Sequence, residues 1–322
     1  MKSFSIEFRY ENGLFHIWPS CVKMHKLATH NSRRWCCSMN KHKVHVNGID
    51  MVYEEYGHSN ERAIVLLHGF CGSSLYWHKV CPQLSKHYRV ILPNLRGHGG
   101  TEVPDGVYTM ETMADDILGL IDLLGLDKTV IFGHSMGGYV ALAFADKYSH
   151  RLSGFGLIHS TALPDTPVVK AKRLQDIEDI KRDGIHEYVE KMTERLFVES
   201  TREEIPDEVH RIKSVGKVMQ PEGAIHALEG MRIRKDRSAV LYEANFPVLL
   251  VAGSEDHVIS PDEAFGVNEG HVPRSTFNYP HISENTFEGI AHMSLVEVPE
   301  QLARLMANYL RTLHERETLR IL

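Results

Sequence analysis

From residue 44 onward, short apolar runs alternate with stretches whose apolar residues recur every three or four positions. Residues 44–46 and 51–56 flank Asn47-Gly48, a dipeptide suited to the left-handed backbone of a tight hairpin turn. Residues 63–67, 88–92 and 129–132 are apolar without alternation, the mark of parallel strands covered on both faces. Between the last two, Met113, Ile117, Leu120, Ile121 and Leu124 follow helical spacing, with Thr109 placed to cap the helix and Gly125 to end it. Further strands are expected at 155–158 and 248–251. Strands alternating with helices predict an α/β fold, a mostly parallel, doubly wound sheet with an antiparallel N-terminal hairpin.

Residues 164–230 break that alternation. Thr166-Pro167 reads as a cap followed by proline at the first helical position, and Gly184 as a stop. Ile185, Tyr188, Val189, Met192 and Leu196 mark one face of a second helix, and Ile205, Val209, Ile212, Val215 and Met219 one face of a third. Residues 221–230 allow a short fourth. The expected division is a core of 39–163 and 231–322 with an inserted all-helical cap of 164–230. Residues 1–38 sustain no period and carry six Lys or Arg against Glu7 and Glu11. They read as a basic tail, disordered or arising from an over-long start assignment, since charged residues interrupt any signal-like apolar run.

Composition narrows the class. With 322 residues, 43% hydrophobic and 24% charged, the chain is near the globular average and long enough for a full core. A net charge of -6, which becomes -10 once the tail is set aside, leaves no basic footprint for nucleic acid. No apolar run reaches the roughly 18 residues of a membrane span. Five cysteines, two of them adjacent at Cys36 and Cys37, fit reduced thiols and a cytoplasmic location better than a disulfide framework. The 21 histidines mean that residue type alone selects no site.

Position does. Gly133-His134-Ser135-Met136-Gly137-Gly138 follows an expected strand and precedes an expected helix. A strand turning abruptly into a helix strains the backbone of the residue at the turn, and small residues two positions to either side relieve the crowding. The turn exposes the Ser135 hydroxyl, and the helix start aims backbone N–H groups at developing negative charge.

With this elbow, with His68-Gly69-Phe70 and Arg96-Gly97-His98-Gly99 each after a strand, and with the segments below, the chain from about Met39 onward resembles the α/β-hydrolase superfamily. The resemblance implies a serine hydrolase whose nucleophile, acid and base come in that order. Ser135 is then the nucleophile. Asp256, in Gly253-Ser254-Glu255-Asp256-His257 after the strand at 248–251, is the acid, with Glu255 its rival. The position after the preceding strand, which some members use, holds Ile158-His159-Ser160-Thr161 and no carboxylate. His292, in Gly289-Ile290-Ala291-His292, is the base, ahead of His257, His271, His281 and His314. The 36 residues from Asp256 to His292 are more than the family pattern leads one to expect, which leaves the last strand open around 271–284.

The resemblance assigns the oxyanion donors to the backbone N–H groups of Phe70 and Met136, and His68 to bracing their loop. His134, Trp77 and Met192 are the candidate substrate contacts, with Tyr76 and Met219 beside them; packing is the competing role for each. Asn94 stands where many relatives have Asp, and Cys71 is expected to be a buried, inert thiol. Ser135 argues against haloalkane dehalogenases and epoxide hydrolases, which use Asp there. No Gly-rich phosphate loop, His-Glu-x-x-His or Cys-x-x-Cys occurs, so neither a cofactor nor a metal is implied. The expected partners are a small to medium, partly apolar ester and water. Acyl transfer, carbon–carbon bond hydrolysis, perhydrolysis and a slow receptor-like role use the same residues and stay open.

Overall fold

The computed structural model describes residues 40–266 and 281–321. The expected tail at 1–38, His271 and most of the stretch at 271–284 lie outside the described residues.

One sheet holds β1 (Asn40–Val46), β2 (Ile49–Tyr56), β3 (Ala63–Leu67), β4 (Arg89–Pro93), β5 (Thr129–His134), β6 (Leu152–Ile158), β7 (Val248–Gly253) and β8 (Ile282–Phe287). Their spatial order is β1-β2-β4-β3-β5-β6-β7-β8. The β1–β2 and β2–β4 pairs are antiparallel; every pair from β4 through β8 is parallel. In the hairpin turn Asn47 and Gly48 take φ 47° and 77°, the left-handed values that a two-residue turn matched to strand twist requires. β5 and β7 are buried along their whole length, which explains their unbroken apolar runs.

Three helices, α1 (Cys81–Leu84), α2 (Met110–Leu123) and α3 (Met136–Tyr148), come before β6. Thr109 caps α2 by accepting the Thr112 N–H at 3.0 Å. Between β6 and β7 run α4 (Pro167–Asp183), α5 (Ile185–Glu194), α6 (Glu199–Glu204), α7 (Pro206–Lys217), α8 (Pro221–Arg232) and α9 (Ser238–Tyr242). α10 (Pro261–Ala264), α11 (Ser294–Glu297) and α12 (Pro299–Ile321) complete the chain. Thr166 caps α4 through the Val169 N–H, and Gly184 ends it at φ 86°.

Two details of the helical segment differ from the periodicity. α6 buries none of its residues, so it has no apolar face for a pattern to reveal. α8 runs through Gly230 to Arg232 because that glycine marks a close approach rather than a stop: a Cβ there would lie 1.7 Å from the Tyr108 carbonyl oxygen. Among the described residues no helix is long and apolar enough to cross a membrane.

Candidate active site

Ser135 joins β5 to α3 with φ 51° and ψ −118°, outside the regions an L-residue prefers. Backbone meets backbone on both sides of it. A Cβ on Gly133 would lie 2.2 Å from the Gly137 carbonyl oxygen, and one on Gly137 2.6 Å from the carbonyl oxygens of Leu67 and His68. The turn is pinned to the sheet, where the Ser135 N–H donates to the Ile158 carbonyl at 3.0 Å and the Ser160 hydroxyl donates to the Ser135 carbonyl at 2.8 Å. Met136 begins α3, so its N–H is one of those a helix leaves without an internal partner.

The loop carrying Phe70 lies against this elbow, since a Cβ on Gly69 would come within 3.2 Å of the Ser135 Cβ. His68 braces the loop: its Nδ1–H donates to the Gly69 carbonyl at 2.8 Å and its Nε2 accepts the Leu95 N–H at 3.0 Å. Burial, with a contribution from His98, pushes the His68 imidazole down to about 3, so it is a neutral strut. Asn94 makes two side-chain bonds of its own, accepting the Ser74 N–H at 2.7 Å and donating to the Gly99 carbonyl at 2.9 Å. Cys71 is buried, and burial raises its thiol far above the ordinary range.

At the other end of the site, β7 runs close under the loop that follows β8. A Cβ on Gly253 would be 2.3 Å from the carbonyl oxygens of Ile290 and Ala291. This approach brings Asp256 and His292 together. The His292 Nδ1–H donates to Asp256 Oδ2 at 2.7 Å, while Asp256 Oδ1 accepts the N–H groups of Val258 at 2.8 Å and Ile259 at 3.0 Å. Burial works to raise the Asp256 carboxyl, but the neighbouring imidazoles and their hydrogen bonds hold it far below the usual carboxylate range. Glu255 and His257 are exposed. His281 donates to the Leu241 carbonyl, and His314 stacks on Tyr88. With Nδ1 committed to the acid, His292 keeps its Nε2 end for other work, and it lines the same cavity as Ser135.

Two further imidazoles flank this pair. The His134 Nε2–H donates to the His292 carbonyl at 2.9 Å, and burial, then the nearby His292 and His159, hold His134 well below the ordinary imidazole range. His159, at the end of β6, places Nδ1 3.1 Å from Asp256 Oδ2 and Nε2 2.8 Å from the Ser294 hydroxyl. This position after β6 carries no carboxylate, and no spacing in the sequence marks its histidine for a role. His159, Asp256 and His292 have ligand atoms within 4.8 Å of one another, as a cation site would. Both N–O separations are hydrogen-bond lengths, however, so each pair is joined through a proton.

The cavity, of about 1060 Å³, is bounded by Phe70, Tyr76, His134, Ser135, Tyr139 and His292 on the core side and by Tyr188, Met192, Leu196 and Phe197 on the helical side. Of the expected substrate contacts, His134 and Met192 border it. Trp77 is a correction: it is fully buried and not part of the cavity wall. Tyr76 and Trp77 share one 3₁₀ turn, where neighbouring side chains diverge by about 120°, so the turn that sends Tyr76 to the cavity sends Trp77 into the core. Met219 likewise packs toward Gly223 instead of the cavity. Periodicity did not disclose the charged part of the wall, where buried Asp165 pairs with Arg173 of α4 and with Arg234. The Arg234 guanidinium lies 4.1 Å from the centre of the Tyr139 ring.

The chain matches a family model described as the alpha/beta hydrolase fold over residues 62–289. A thermophilic esterase from Thermogutta terrifontis is 34% identical with a TM-score of 0.77, over 85% of this chain and 99% of that one. An enol-lactonase from Burkholderia xenovorans LB400 is 26% identical with a TM-score of 0.74, over 84% and 99%. A soluble epoxide hydrolase from Corynebacterium sp. (strain C12) is 40% identical over 104 residues, which are 32% of this chain and 36% of that protein.

Proposed function

The chain belongs to the α/β-hydrolase family, and on that footing we propose that it cleaves carboxylic esters of small to medium, partly apolar substrates through an acyl-enzyme. One observation carries this reading: Ser135, on its strained turn, shares a cavity with His292, whose Nδ1 is held 2.7 Å from the buried Asp256 carboxylate. The likeness to the Thermogutta terrifontis esterase supports the ester class. The epoxide hydrolase likeness covers only 36% of that protein, and the superfamily resemblance implies Asp at the elbow of such enzymes where this chain carries Ser135.

In this mechanism Ser135 Oγ attacks the ester carbonyl carbon as its proton passes to His292 Nε2, and Asp256 holds the ring in the required tautomer while balancing the imidazolium. The negative charge that forms on the carbonyl oxygen is met by the N–H groups of Phe70 and Met136, each such donor being worth about 3 kcal/mol in the transition state. Collapse expels the alcohol, which takes the proton from His292. Water then attacks the acyl-enzyme by the same steps, releasing the acid and restoring Ser135. The test is a fluorophosphonate probe with mass spectrometry, followed by p-nitrophenyl esters of graded chain length on the native protein and Ser135→Ala. The expected result is one label, on Ser135, and turnover abolished in the variant with the fold intact. Labelling elsewhere, or undiminished turnover, would overturn the assignment.

A further inference from the structure

His159 stands out because its backbone is held in an unfavourable state while its ring is fully engaged. It takes φ 49°, a conformation uncommon for any residue but glycine and a form of strain that collects at functional sites. Its N–H donates to the Val251 carbonyl at 2.8 Å, so the turn is locked to β7 and the buried ring is aimed beneath Asp256. The Ser294 hydroxyl, two residues past His292, donates to Nε2, which leaves the proton on Nδ1 for the carboxylate. Asp256 thus accepts four hydrogen bonds, two on each oxygen, which fills the lone-pair sites of a carboxylate.

We propose that His159 is a positioning residue: its Nδ1–H fixes the Asp256 carboxylate and draws off part of its charge, so that the acid orients His292 without over-stabilising the protonated ring. A carboxylate with one donor fewer presents more charge to His292 and holds the imidazolium to higher pH. The groups around the two rings, among the described residues, are Asp256, His134, Ser294 and the half-buried Glu297 of α11. Burial lowers the His159 imidazole, which keeps it a neutral donor.

The proposal rests on the assignment of Ser135, His292 and Asp256 above. The experiment measures kcat/KM against pH with a p-nitrophenyl ester for the native protein, His159→Leu, His159→Asn and Ser294→Ala, with Ser135→Ala as control. Asn keeps an N–H near the place of Nδ1 and tolerates the left-handed backbone. In His159→Leu the acidic limb should move up by about half a pH unit or more, and kcat should fall about tenfold with KM little changed. His159→Asn should restore the limb, and Ser294→Ala should move it less and in the same direction. A limb unmoved in His159→Leu and Ser294→Ala, or equally displaced in His159→Asn, overturns the proposal even where activity falls. If His159→Leu does not fold, the Asn and Ser294 variants decide alone. Activity persisting in Ser135→Ala would overturn the underlying assignment instead.

Discussion

Replacing Gly133 by alanine tests whether the elbow depends on closeness of backbone. The added methyl would lie 2.2 Å from the Gly137 carbonyl oxygen, 2.4 Å from its carbon and 2.5 Å from the Gly138 nitrogen. These are main-chain atoms in the first turn of α3 and cannot rotate away as a side chain would. Relief needs about 1 Å of movement, because non-bonded heavy atoms settle at about 3.5 Å or more. α3 is buried from Met136 through Ala145, so its start cannot shift without disturbing the core. Overpacking of this kind costs about 1–3 kcal/mol. The same shift misplaces Ser135 and the Met136 N–H, and an error of about 1 Å in reacting geometry lowers rate roughly 100-fold. Gly119→Ala is the internal control. Its Cβ would meet the Val46 Cβ at 3.4 Å, an ordinary contact, within the helix α2. Alanine there should stabilise the protein by up to about 1 kcal/mol. Urea unfolding followed by circular dichroism gives the stabilities, and kcat/KM on a short p-nitrophenyl ester gives the activity. A Gly133→Ala protein with native stability and native kcat/KM would refute the crowding argument.

Two further substitutions probe the helical segment. Glu190 of α5 pairs with Lys213 and Lys217 of α7, and their hydrogen bonds and charge bring its carboxyl to about 2. A lowered pKa stabilises the fold above the unfolded value near 4.5, and the benefit is lost as pH falls from there through about 2. With the side chain 37% exposed, solvent screening reduces the effect, so Glu190→Gln should cost about 1 kcal/mol at pH 7 and almost nothing at pH 2 by urea unfolding. A loss that is constant across this range would exclude the ionic explanation. Asp165→Asn leaves the guanidinium groups of Arg173 and Arg234 without their shared counter-charge and should lower stability by about 3–5 kcal/mol. An unchanged urea midpoint would show that the cluster is dispensable.

How far the chain could be read in advance follows from where each instruction is stored. β3, β5 and β7 are legible because burial on both faces demands unbroken apolar runs. β8 is not, since Ile282–Phe287 buries none of its residues, is mostly polar and forms the sheet edge. Ser135 is marked by glycines that the local backbone requires. The Asp256–His292 bond depends on the approach of β7 to the loop after β8, so order along the chain could nominate the pair but not supply its geometry. Nothing local marks His159, because its partners come from the loop after β7 and from α11, distant in sequence, and no spacing encodes them. Trp77 was misplaced because aromatic character does not tell which way a 3₁₀ turn faces.

The sheet order has a consequence for how the molecule assembles. β6 pairs with β7 only after the chain has travelled from Ile158 through six helices to Val248, and β8 then pairs on β7. Closing so long an excursion forfeits chain entropy before any contact repays it, which makes distant parallel pairings slow. Ser135 sits on the near side of that closure, while Asp256 and His292 sit on the far side. A refolding chain can therefore regain much of its helix and its first strands while still unable to turn over substrate. With the proposed roles of Ser135, Asp256 and His292, return of catalysis would mark the joining of β7 and β8 to the six earlier strands, and it would report a complete fold more stringently than any signal of secondary structure.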